Sequence, residues 1–434
     1  MRAIANFGLT NAARFLIMGH RLERAVLWFC VGMLIVHAYL LWSVRKQVLA
    51  GYPDFTAFYA AGRTVRDGRG KHLYDASEQW RTQQQVVQFG HVRDVPLPYL
   101  RPPFEALLFV PLTFLPYSQA YLLWNAVGLS IVLGIPLLLR RRIQALQQIP
   151  PWLPTLLPFT FTPLFLALLQ GQDSILLLLS YTLTYLALSK AEDFRAGCWL
   201  GLGLFKPHLV VPVVAILSLQ GKRRFALGFL SVAAALFVVS LAVIGWPEIL
   251  RYPGYVWWLE QHSGRGILPR DTPNLRGIEE GLLAGLLAPW RIILLVSISS
   301  IAVMLRAARR PGLIRGGNNA LNLDFSQAMV ATFLVSYHAF AYDLSMMLLP
   351  ILLLLAWRLA NHSNANAWSG IALTGPIVLL LFAPIFLLLW LPFHTMNLVA
   401  IVLLLWMWGM SREISRLQDA TPPDGTVTQA IPVI

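Results

Sequence analysis

The stretch Tyr52–Asp75, YPDFTAFYAAGRTVRDGRGKHLYD, sets the carboxylate of Asp54 beside the aromatic residues Phe55, Phe58 and Tyr59 and ahead of the cations Arg63, Arg66, Arg69 and Lys71. A carboxylate beside rings that pack on a sugar can take a proton from an acceptor hydroxyl. A second reading makes Asp54 the N-cap of a helix running toward Gly68, a position that favours Asp. Arg63 and Arg66 have two readings as well. They contact lipid headgroups, or their planar forks neutralise a phosphate leaving group. Arg101, set before Pro102 and Pro103, is a further candidate for the phosphate.

Other polar groups interrupt apolar segments. Gln170, Gly171, Gln172 and Asp173 form a turn richer in hydrogen-bonding groups than a hairpin requires, suited to sugar hydroxyls. Lys206 stands mid-segment with no acidic neighbour, beside Pro207 and His208. An intramembrane cation is costly and marks a functional site, here for an anionic substrate, and Pro207 breaks the helix there. His338, Tyr342 and Asp343 recur at helical spacing as a substrate contact or a structural cluster. A later loop offers Trp257, Trp258, Glu260, His262, Asp271 and Asn274, with Trp257 a sugar or acceptor contact or a belt residue.

The elements that must position these groups are membrane helices. With 57% hydrophobic and 12% charged residues and a mean hydropathy of +0.62, the 434-residue chain cannot keep a soluble surface wet. Its unalternated apolar runs of about 15 to 21 residues fit helices rather than barrel strands. The fold class is all-α, a polytopic integral membrane protein with a long first outer loop carrying interfacial helices. Residues 1–24 form a cytoplasmic N-terminus, 25–410 the membrane domain with loops at 45–103 and 246–280, and 411–434 a disordered tail. The piece SEQWRTQQQVVQF is expected to lie along the membrane face.

The net charge of +14 reads as orientation signal, so no nucleic-acid partner is expected. Cys30 and Cys198 lie in apolar segments, and no phosphate-loop, dinucleotide or metal-ligand spacing occurs, so no cofactor and no metal are expected. Short basic loops stay cytoplasmic. With Phe104–Leu115 kept from crossing and the Lys206 segment passing twice, the clusters at 140–142, 222–224, 306–310 and 412–416 fall inside. Asp54, the Gln172 turn, Lys206, Asp343 and His394 then fall outside. A full crossing by Phe104–Leu115 would invert the segments beyond it.

DFTAFYAAGRTVRDGRGKHLYD, PYLRPPFEALLFVPLTFLP, the GQD turn at 171–173, AGCWLGLGLFKPHLVVPV, TPNLRG and YDLSMMLLP, spread over residues 52–350, resemble glycosyltransferase family 87. These are polyprenyl-phosphate-sugar-dependent membrane transferases of the GT-C architecture, including mycobacterial mannosyltransferases. The resemblance implies a GT-C-like helical bundle in the cell membrane, with an active site on the outer face. Its donor would be a polyprenyl-phosphate sugar and its acceptor a lipid or glycan. Asp54 matches the family's catalytic carboxylate and Lys206 the lysine of its split helix. Asp173 stands where the family often has Asn. A polymerase or ligase using a diphosphate lipid, and a transporter without chemistry, are the rival readings.

Overall fold

The computed structural model describes residues 2–86, 96–262, 268–309, 318–361, 367–390 and 392–419. Among the described residues six helices are long and apolar enough to cross a membrane, and two pairs of shorter helices, each bent by 68°, raise the number to eight. The chain is a polytopic helical membrane protein.

Helix α1 (Arg2–Leu49) contains the first apolar span, Glu23–Leu49. The segment after it folds into a small body rather than a loop. Helix α2 (Phe55–Arg66) packs on α3 (Ala76–Val86) and on α4 (Ala106–Phe109). Its core is aromatic: Phe58 stacks on Phe109 at 5.1 Å, and Phe55 meets Tyr59, Tyr117 and Tyr121 at 5.7–6.2 Å. Such pairs add about 0.5–1.5 kcal/mol each to simple burial.

Helix α3 buries Gln79, Thr82, Gln83 and Val86 against this body. Gln83 pairs with both backbone groups of Leu97 (2.7 and 2.9 Å), and Gln79 accepts from the Tyr99 amide (3.2 Å). The two amides, one helical turn apart, thus satisfy an extended strap as a neighbouring strand would. Residues 87–89 of the expected amphipathic piece lie outside the described residues. Phe104–Leu115, kept from crossing in the sequence reading, is α4 between two 3₁₀ turns broken at Pro111, too short for about 30 Å of hydrocarbon.

Helix α5 (Tyr117–Arg140) runs away from this body, and α6 (Gln144–Gln147) caps its far end, where Arg140 donates to the Ile149 carbonyl (2.9 Å). Helices α7 (Trp152–Leu156) and α8 (Thr162–Gln170) return as one of the bent spans. Helix α9 (Ser174–Leu188) descends again, and α10 (Asp193–Gly201) and α11 (Val211–Leu219) form a broken hairpin with Lys206 at its apex. An ion pair between Asp193 and Lys222 (2.7 Å) ties the two ends of that hairpin together, so its two arms run side by side.

Helix α12 (Arg223–Ile244) is long and apolar enough to cross, and α13 (Trp246–His262) lies against the small body through Tyr252 and Tyr255. The chain continues through α14 (Leu275–Leu283), α15 (Pro289–Ala308), α16 (Asn318–Val335), α17 (Leu348–Ala360), the bent pair α18 (Ala367–Leu381) and α19 (Ala383–Trp390), and α20 (Val399–Asp419). Helix α20 continues past the tail boundary expected at Met410, with Ser411, Glu413 and Ile414 buried. Beyond residue 419 the expected tail lies outside the described residues.

Helix directions place Asp54, the Gln172 turn, Lys206 and Asp343 at one end of the bundle. The basic residues 140–142, 222–224, 306–309 and 412–416 gather at the other; Arg310 lies outside the described residues.

Candidate active site

Asp54 occupies the N-cap position of α2, yet its side chain makes no capping bond. Its carboxylate Oδ2 instead accepts from Gln172 Nε2 at 2.8 Å, and its backbone amide donates to Gln170 Oε1 at 3.1 Å. Asp173 repeats the pattern as the N-cap residue of α9 without a capping bond. Both carboxylates are therefore directed across elements.

The turn that brings them together depends on Gly171. Its φ of +61° suits glycine, and a Cβ there would stand 2.7 Å from the Phe55 Cβ, one residue after Asp54. This close approach lets Gln170 and Gln172 reach Asp54 from either side.

Arg101 arrives on the strap 96–101. Three tyrosine hydroxyls hold that strap by its carbonyls: Tyr255 on Tyr99 (3.4 Å), Tyr252 on Leu100 (2.9 Å) and Tyr74 on Arg101 (2.8 Å). The Arg101 guanidinium donates to Gln172 Oε1 and Asp173 Oδ1, both at 3.2 Å, and its Nε lies 3.1 Å from Asp173 Oδ2. Gln172 thus bridges the Asp54 carboxylate and the Arg101 cation. The Phe58 ring, 5.8 Å from the guanidinium carbon, backs Arg101.

Lys206 lies deeper and is wholly buried. It pairs with Asp173 (2.7 Å) and Asp343 (2.5 Å) and donates to Ser174 Oγ (2.5 Å), which in turn donates to Asp343 (2.8 Å). The cation that lacked an acidic neighbour in sequence has two in space. Burial raises the Asp173 carboxyl, but Arg101 and Lys206 outweigh it and hold the group at about 2. His208 follows Lys206 and Pro207 at the apex. His338 lies next to it, ring centroids 6.4 Å apart. The Tyr342 ring sits 5.2 Å from Lys206 Nζ, and its phenol is raised well above its ordinary range by burial, then by Asp343 and Asp54. It stays protonated and cannot serve as a base.

Asp54, Phe58, Arg101, Gln172, Asp173, Lys206, His208, His338, Tyr342 and Asp343 thus converge. Four other sequence candidates stand apart. Arg63 and Arg66 are about 13 and 18 Å along α2 from Asp54 at 1.5 Å per residue, where both pair with Asp67 and Arg66 donates to the Thr113 carbonyl. The Tyr59 hydroxyl donates to the Leu115 carbonyl (2.8 Å) inside the aromatic core. Trp257 is exposed on α13, two residues past Tyr255 and so turned from the face that grips the strap. The side chains of Glu260 and His262 lie outside the described residues.

Sequence reading passed over Ser174 and Glu105. Glu105 is fully buried against the site. The signal was available, since it is the one acid in the apolar run Phe104–Leu115.

The family model of glycosyltransferase family 87 matches residues 99–337, beginning after Asp54. The chain is similar to polyprenol-phosphate-mannose-dependent alpha-(1-2)-phosphatidylinositol pentamannoside mannosyltransferases. The protein of that name from Mycolicibacterium smegmatis is 28% identical over 208 residues, 48% of this chain and 46% of that protein. Its counterpart from Mycobacterium tuberculosis is 26% identical over 280 residues, 63% of this chain and 60% of that protein. The matches thus span about half to three-fifths of these relatives' lengths. No solved structure matches the chain. With the family match covering more than half of its 434 residues, the chain belongs to glycosyltransferase family 87.

Proposed function

We propose that this protein transfers a hexosyl unit, mannosyl in keeping with the relatives, from a polyprenyl-phosphate-linked donor to the hydroxyl of a lipid or glycan acceptor. The reaction takes place at the outer face of the cell membrane. The observation that carries this reading is the bridge from the Asp54 carboxylate through Gln172 to Arg101, a base and a phosphate-binding cation set one side chain apart.

In this reaction the acceptor oxygen forms a bond to the anomeric carbon as that carbon's bond to the phosphate oxygen breaks. Asp54 takes the acceptor proton, and direct displacement inverts the anomeric centre. Arg101 faces the charge that develops on the departing phosphate, where preorganised donors contribute most. Lys206 acts from behind, fixing Asp173 and adding its field. Gln172, His208, His338, Tyr342 and Asp343 supply the amide, imidazole, phenol and carboxylate groups that line the sugar and acceptor space. Arg63 and Arg66, at the far end of α2, are assigned to the lipid interface rather than to the phosphate.

Purified full-length protein with a synthetic polyprenyl-phosphate mannose and a hydroxyl acceptor tests the base. Asp54→Asn is expected to lower transfer about 10²–10⁴-fold, the usual contribution of a positioned general base, with little change in donor KM. Near-normal transfer by that variant would remove Asp54 from the role. Release of a monophosphate lipid fits the reading, whereas a diphosphate lipid product would move the protein to the polymerase or ligase class.

A further inference from the structure

Glu105 is the one buried acid at the site that the proposed transfer leaves unused. It lies in the first turn after Pro102–Pro103, has no exposed surface, and takes the Tyr99 hydroxyl on Oε2 at 3.1 Å. Its Oε1 is shut from solvent without an N–H or O–H partner, and so is Asp173 Oδ2, whose neighbour Arg101 Nε at 3.1 Å is out of line for a hydrogen bond. The Glu105 and Asp173 carboxyls are neighbours whose ionisations act on each other.

Two acceptor-only carboxylates cannot stand so in a buried site, because neighbouring like charges disfavour double ionisation. One proton between them turns two orphaned oxygens into a hydrogen bond. Asp173 has Arg101 and Lys206 to hold its charge, so the proton resides on Glu105. The charge count points the same way. Arg101 and Lys206 balance Asp173 and Asp343; an ionised Glu105 would add a further negative charge to a cleft for a phosphate.

We propose that Glu105 is a positioning residue in its neutral acid form, donating its proton to Asp173 and thereby holding the Arg101 fork square to the donor phosphate without cancelling its charge. The role rests on the proposed transfer reaction. The groups facing Glu105 are Tyr99, Tyr74 and Tyr252, Arg101 and Asp173. Burial first, then the charge of Asp173, raises its carboxyl well above the ordinary range.

Full-length wild type, Glu105→Gln and Glu105→Ala in lipid nanodiscs test this by two readouts. In transfer with polyprenyl-phosphate mannose, the carboxamide still donates to Asp173 and accepts from Tyr99. Glu105→Gln is therefore expected to stay within about threefold of wild type, while Glu105→Ala falls about tenfold to a hundredfold, chiefly through donor KM.

The second readout is the apparent melting midpoint against pH. Native Glu105 keeps a proton that the unfolded chain loses near about pH 4.3. Folding then binds a proton, and stability falls as pH rises above that value until the native group ionises. Glu105→Gln removes this slope, so its midpoint is expected to gain on wild type as pH rises from about 5 to about 9. Glutamine as damaging as alanine to transfer, or a midpoint that drops below wild type with rising pH, would show an ionised Glu105 and overturn the proposal. The melting comparison needs no transfer, so it decides the role of Glu105 even where Asp54→Asn has refuted the chemistry.

Discussion

At the scale of the residue, Lys206 joins stability to the proposed chemistry. Breaking a buried ion pair from one side leaves an uncompensated charge and costs about 3–5 kcal/mol, whereas removing both partners is often near neutral. Lys206→Met is therefore expected to lower the melting midpoint sharply by stranding Asp343 and half-stranding Asp173. Adding Asp343→Asn is expected to restore much of the midpoint. Transfer is expected to stay low in both variants, since the field behind Arg101 is gone in each. Recovery of transfer in the double variant would reduce Lys206 to a packing role; melting curves beside donor KM separate the two. The lysine was visible in the sequence, because a cation beside proline in an apolar run has few bland explanations. Its partners were not. Asp173 and Asp343 are 33 and 137 positions away, and nothing in local periodicity joins residues so distant. Asp54 was visible as both cap and base, and the unmade capping bond decides for the across-element contact.

At the scale of the element, the hairpin that carries Lys206 is set by a close crossing of α10 and α12. A Cβ on Gly197 would fall 2.0 Å from the Phe225 carbonyl oxygen, and one on Gly228 2.0 Å from that of Phe194. These are backbone contacts that no rotamer change relieves. Small residues are how membrane helices approach so nearly. Gly228→Ala is expected to push the helices apart, destabilise by about 1–3 kcal/mol in the manner of overpacking, and weaken transfer by shifting the apex at Lys206. Gly134→Ala, on α5 with open space around its Cβ, is the matched control and is expected to leave the midpoint unchanged or slightly raised. Equal midpoints for the two variants, read by thermal unfolding in detergent, would show that the crossing tolerates separation. Element identity was legible where apolar runs were long, as in α5 and α12. It was incomplete at α3, where a polar run expected along the membrane face also clamps the strap through Gln79 and Gln83. Amide side chains standing in for a strand leave no hydrophobic signature.

At the scale of the whole molecule, the separation of charge and site gives a prediction about sidedness. The far ends of α5, α11, α15 and α16 meet through Arg140 on Ile149, Lys222 on Asp193, and Gln220 on the Ala307 carbonyl and Asp324. The opposite ends meet through Asn274 on the Ser336 carbonyl and Asn397 on the Gly277 carbonyl, beside the site. Arg141 and Arg142 therefore stand a full span from Asp54. Basic loops are retained in the cytoplasm, and this separation is the ground for the proposed outer-face site. With Cys30 and Cys198 replaced by alanine, single cysteines at two exposed positions test this: Lys71 on the site body and Arg141 at the basic end. In intact cells a membrane-impermeant maleimide is expected to label Lys71→Cys, whereas Arg141→Cys should react only after permeabilisation. The reverse pattern would place the site on the cytoplasmic face and withdraw the outer-face assignment. Labelling of both in intact cells would contradict the path of the chain itself, because α5 would then fail to cross between the two positions.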